Sequence, residues 1–230
     1  PSPGRVEATL TSPARPLWRN PGWLLFALLA LAPPLALLLR PAPEPLPHLG
    51  RLPEFSVVDQ SGEPLTRASF AGHVVVLDFI FTRCPDICPT LTAQMAALRD
   101  ELPAKPRDGA PITFVSVSVD PGHDTPAVLA EYAAQYDANP QTWRFVNGDR
   151  DTVTAIAAGL VQGLTLSPGE GPAEVSDIMH GQRFLLIDPS ASLRGAYETT
   201  PDGLEALADA ARGLSAAGTD VRPAPAASSP

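Results

Sequence analysis

The chain has 230 residues, of which 44% are hydrophobic and 18% charged, a length that supports one ordinary core rather than two. Its net charge of -9, one lysine (Lys105) and scattered arginines give no basic stripe to neutralise phosphates, which argues against a nucleic-acid partner. Two cysteines are too few for a disulfide scaffold, so chemistry or metal binding is the better use for them.

Prolines crowd the ends, with 11 of the 28 in the first 50 residues and 3 in the last 8, so both termini read as extended and the fold lies between. Residues 23–39 are 17 residues without a charge. As helix they would span about 26 Å against roughly 30 Å of hydrocarbon, enough with Pro21 and Gly22 added. Pro33 and Pro34 would kink such a helix, which membranes tolerate. The expected organisation is a cytoplasmic segment at 1–21, a transmembrane anchor at 22–39 and a stiff spacer at 40–52 carrying Pro41, Pro43, Pro45 and Pro47. Arg5, Arg15 and Arg19 precede the anchor. That bias directs the main domain outward, giving a single-pass inner-membrane protein with its domain in the periplasm or extracytoplasmic space. A cleaved signal peptide is the competing reading; its best site, Ala30-Leu31-Ala32, is followed by Pro33, which disfavours cleavage.

From 53 to 213 the pattern predicts one α/β domain. Strands are expected at 55–59 and 72–81, a helix from Pro89 to about 102 with Leu91, Met95 and Leu98 on one face, and a strand at 112–119. A helix at 128–136, a strand at 143–146, a helix at 151–160 and a polar loop at 163–176 follow. Strands at 183–188 and 193–197 flank a turn, a helix at 204–214 closes the domain, and 214–230 reads as a disordered tail. This is a central mixed sheet with flanking helices.

Cys84 and Cys88 stand where a strand feeds a helix N-terminus, a place that favours thiolate over thiol. Their four-residue spacing puts both sulfurs on one side of a turn, able to close a disulfide or clamp one ion. Two thiolates select Cu(I) or zinc, and a third ligand would complete a trigonal site. His48, His73 and His123 have bland explanations in the spacer, at a strand start and in a turn. His180, at the end of the polar loop, is the candidate.

The nine residues 81–89, Phe-Thr-Arg-Cys-Pro-Asp-Ile-Cys-Pro, resemble the cysteine motif of the Sco (SenC) family. Residues 117–132, with Asp120, Asp124 and Tyr132, and the segment from His180 to Pro189 are similar to that family's second βα unit and histidine segment. The resemblance implies a thioredoxin-like fold, copper, as Cu(I) or Cu(II), held by Cys84, Cys88 and His180, and delivery to cytochrome c oxidase subunit II or another copper or thiol protein. It also implies an alternative, a redox-active dithiol at Cys84 and Cys88 that reduces target cysteines without stable copper. Typical copper-delivering members carry Asp immediately before the histidine. Here that position is Met179, with Asp177 two residues further back. Arg83 is read either as stabilising a thiolate or as a solvated charge, and Asp86 as orienting the loop or as a plain turn residue. A permanent structural disulfide and a peroxidase are the remaining, weaker readings.

Overall fold

The computed structural model describes residues 26, 29–32, 46–102, 104, 106, 109–165 and 182–217. The chain forms two units, Pro1–Pro45 and Leu46–Pro230. In the first, residues 26 and 29–32 are helical, and Phe26, Leu29 and Leu31 are exposed. The rest of the expected anchor at 22–39 lies outside the described residues, and among the described residues no helix is long and apolar enough to cross a membrane.

In the second unit, β4 (Val74–Ile80) is buried at all seven positions, as a continuous apolar run must be when helices cover both faces of a sheet. It pairs in parallel with β5 (Ile112–Ser118), which pairs in parallel with β6 (Trp143–Asn147). On its other side β4 meets β7 (Arg183–Ile187) antiparallel, and β7 turns back into β8 (Ser192–Glu198). β2 (Ser56–Asp59) and β3 (Pro64–Thr66) form a hairpin beyond β6, and β1 (Gly50–Arg51) closes the opposite edge. Among the described residues this is one eight-stranded mixed sheet in the order β1-β8-β7-β4-β5-β6-β2-β3. The helices are α1 (Ile87–Glu101), α2 (Pro126–Ala134), α3 (Arg150–Thr165) and α4 (Pro201–Ala217).

Alternation along β4 sorts the core into two layers. Val74, Val76 and Ile80 pack with Cys88, Leu91, Met95 and Leu98 of α1 and with Leu207 and Ala211 of α4. Val75, Leu77 and Phe79 pack with Val153, Ile156 and Leu160 of α3. Asp78 falls on the first face, under the cysteine helix.

The expected α/β architecture is present, with boundaries moved outward. Residues 46–52, expected within the stiff spacer, belong to the sheet unit. Leu49 N–H donates to Leu193 O, Leu52 N–H to Ala191 O, and the Arg194 guanidinium to the carbonyls of Leu46 and Pro47. The last helix starts at Pro201, not 204, because proline suits a first helical turn and Thr200 Oγ1 accepts the Gly203 N–H at 3.2 Å. It runs to Ala217, past the expected domain end at 213, and the remaining tail, 218–230, lies outside the described residues. Likewise α3 continues to Thr165, into the expected loop, whose remainder is outside the described residues.

Candidate functional site

The end of β4 leads into a turn, closed by Cys84 N–H donating to Phe81 O at 3.1 Å, and α1 begins three residues after Cys84. Both cysteines are free and buried, and the Cys88 N–H points at Cys84 Sγ at 3.5 Å. This is the expected strand-to-helix placement, and it makes the two thiols unequal. Burial works against a Cys84 thiolate, but the backbone N–H groups of Cys88, Asp86 and Ile87 and the Cys88 side chain outweigh it and hold its pKa below the ordinary value. Cys88 is pushed up to about 12, chiefly by burial, with Cys84 and the Asp78 charge adding to it. Cys84 is therefore the thiol more disposed to ionise, and Cys88 the one that holds its proton more tightly.

Asp78 is 1% exposed, and neither carboxylate oxygen has a hydrogen-bond partner. Burial raises its pKa to about 7, against the opposite pull of Ser116, which faces it in the β4–β5 register. Trp143 Nε1 donates to Ser116 Oγ at 3.0 Å, so a polar stripe crosses the floor beneath α1. Above it, Thr92 Oγ1 donates to Cys88 O at 2.8 Å and lies 2.9 Å from the Tyr132 hydroxyl, whose ionisation burial disfavours.

The turn before Cys84 is fastened to the β5–α2 loop. Asp124, fully buried, accepts from the Thr82 N–H at 3.1 Å, the Thr82 hydroxyl at 2.6 Å and the Ser118 hydroxyl at 2.6 Å. Arg83 is largely exposed and pairs with Asp120, so its charge is directed there and not among the groups that favour the Cys84 thiolate. Asp86 occupies the N-cap position of α1 without a side-chain cap bond.

His180, Met179 and Asp177 lie outside the described residues. Of the other histidines, His73 Nδ1 sits 2.9 Å from Thr113 Oγ1, and His48 and His123 are exposed. Among the described residues no group of three His, Cys, Asp or Glu side chains gathers to hold a metal ion. Sequence reasoning missed Asp78, although a single acid inside an otherwise apolar strand run is a visible signal. Nor did it find the buried tether made by Asp124, the residue just before the α2 cap, where Thr125 Oγ1 accepts the Val128 N–H at 3.4 Å and Pro126 begins the helix.

A mixed sheet whose parallel strand runs into two cysteines one helical turn apart, over a buried carboxyl, defines a thioredoxin-like dithiol protein. The chain belongs to the SCO1/SenC family, whose sequence profile matches residues 47–215. A Stutzerimonas stutzeri protein named for copper binding is 31% identical over 150 residues, 65% of this chain and 70% of the relative. The crystal structure of a SCO1/SenC family lipoprotein from Bacillus anthracis superposes with a TM-score of 0.58 at 27% identity, over 76% of this chain and 99% of that one. BsSco, described as a member of the Sco family of cytochrome c oxidase assembly proteins and as having a disulfide switch, gives 0.55 at 27% identity, over 70% and 93%.

Proposed function

We propose that this chain carries copper as cargo and works in cytochrome c oxidase assembly, holding the ion through the thiolates of Cys84 and Cys88 and the imidazole of His180. The observation that carries the reading is the pair of free thiols at the head of α1, one turn apart, with the Cys88 N–H donating to Cys84 Sγ. Two sulfurs form a soft donor set suited to Cu(I), and one of them is already disposed to ionise. Binding must displace the Cys88 proton, so uptake releases protons and weakens in acid. Family membership, the copper-binding name of the S. stutzeri relative and the description of BsSco support the assignment. In this reading the run 22–39 anchors the chain in the inner membrane, the domain faces the periplasm or extracytoplasmic space, and the recipient is oxidase subunit II or another copper or thiol protein.

Anaerobic titration of the reduced chain with Cu(I) against a chromophoric competitor tests it. One ion per chain is expected, lost in Cys84→Ser and Cys88→Ser, with Cu(II) binding weakened in His180→Ala. No uptake of Cu(I) by the reduced parent would reject the reading.

The inequality of the two thiols favours a second reading, thiol-disulfide exchange. The Cys84 thiolate attacks a partner disulfide, forming a mixed disulfide and freeing one partner thiol. Cys88 then gives up its proton and attacks Cys84 Sγ, leaving the Cys84–Cys88 disulfide and a second partner thiol. Cys88→Ser arrests the sequence at the mixed disulfide. If none accumulates in native membranes, this reading is discarded.

A further inference from the structure

We infer that Asp124 is a positioning residue for the dithiol, holding through Thr82 the turn that delivers Cys84. The inference rests on the proposed use of both sulfurs and concerns only how they are presented.

Helix α1 starts without a side-chain cap from Asp86, so local capping does not fix the junction between the turn and the helix. The buried carboxylate of Asp124 supplies a tether from 42 residues away. Two of its three donors, the Thr82 N–H and hydroxyl, come from the second residue of the Phe81–Cys84 turn, and bonds to a buried charged acceptor are the strong kind. The loop that carries Asp124 is itself fixed to the sheet. Asn147 Nδ2 donates to Asp124 O at 2.7 Å and to Pro121 O at 3.3 Å, and Val119 N–H donates to Ile80 O at 2.8 Å. The exposed Arg83–Asp120 pair adds little beside this. The resulting path, from Asn147 through the β5–α2 loop and Asp124 to Thr82, ends two residues from Cys84. It keeps Cys84 Sγ against the Cys88 N–H, which raises the effective concentration of each sulfur toward the other.

The readout is the equilibrium of the copper-free full chain with glutathione buffers. Closing the Cys84–Cys88 disulfide takes one proton and one electron from each thiol, and these convert one glutathione disulfide into two glutathione thiols. Thr82→Val removes the hydroxyl donor and keeps the N–H; it lowers the closure constant roughly tenfold, the scale of one lost hydrogen bond to a charged group. Asp124→Asn lowers it by at least as much. Thr82→Ser keeps both donors and rescues the parent value to within about twofold. A merely structural role would lower the melting temperature without moving this equilibrium in the folded variants. Should Asp124→Asn fail to fold, Thr82→Val decides alone. A Thr82→Val constant equal to the parent's, or a Thr82→Ser constant as low as valine's, overturns the inference. Copper takes no part, so a failed copper titration leaves it standing, whereas a parent that forms no Cys84–Cys88 disulfide at any glutathione ratio overturns it.

Discussion

Replacing Asp78 by Asn probes the floor of the dithiol site through stability against pH. The Asp78 carboxyl moves from 3.8 in a free chain to about 7 when folded, because burial without a hydrogen-bond partner disfavours the anion. Between those values the folded state binds the proton that the unfolded state has released, so rising pH destabilises the fold in that window. At 1.36 kcal/mol per unit, the full cost above pH 7 is about 4 kcal/mol, and the part that accrues between pH 5 and pH 8 is about 3 kcal/mol. Asn carries no such charge. Its own burial cost is constant with pH, so the parent-minus-variant difference isolates the titration. Urea unfolding of reduced, copper-free parent and Asp78→Asn from pH 5 to pH 8 measures it. The variant gains on the parent by about 3 kcal/mol over that range, equivalent to roughly 6–12 °C in melting temperature. A difference that stays flat with pH would refute the placement of an unpaired carboxyl beneath α1.

Three further outcomes follow from the same geometry. Arg194→Ala strands the buried Asp188 carboxylate and frees the carbonyls of Leu46 and Pro47, costing roughly 3–5 kcal/mol at neutral pH by urea unfolding. Asp188 is held below its ordinary pKa against the effect of burial, by Ser190 and Arg194 among others, so its contribution is present at neutral pH and fades as pH falls through the folded value; the Arg194 penalty shrinks in acid, and a loss under about 1 kcal/mol at pH 7 would contradict the pairing. Brief alkylation of the reduced chain at pH 7, read by peptide mass spectrometry, labels Cys84 before Cys88; the reverse order would contradict the assignment of the lower pKa to Cys84. Met95→Ala, at a fully buried position of α1, costs roughly 2–5 kcal/mol, and a loss below about 1 kcal/mol would place α1 off the sheet.

The parts of this fold that rest on periodicity were legible in the chain. The run at 74–80 reads as a covered strand, and the spacing of Leu91, Met95 and Leu98 reads as one face of a helix; both are what the core contains. Short edge elements were not legible, since Gly50–Arg51 is held by backbone pairing to β8 and by Arg194, which composition does not announce. The cysteines were legible because their chemistry depends on a four-residue spacing. The tether from Asp124 to Thr82 depends instead on how two βα units pack, which no local pattern encodes.

Copper K-edge absorption of the Cu(I)-loaded, reduced chain tests the central claim most directly. Two sulfur scatterers and one imidazole nitrogen are expected, with one sulfur lost in Cys84→Ser and in Cys88→Ser and the nitrogen lost in His180→Ala. A copper environment without sulfur, or one unchanged by Cys84→Ser, would contradict it.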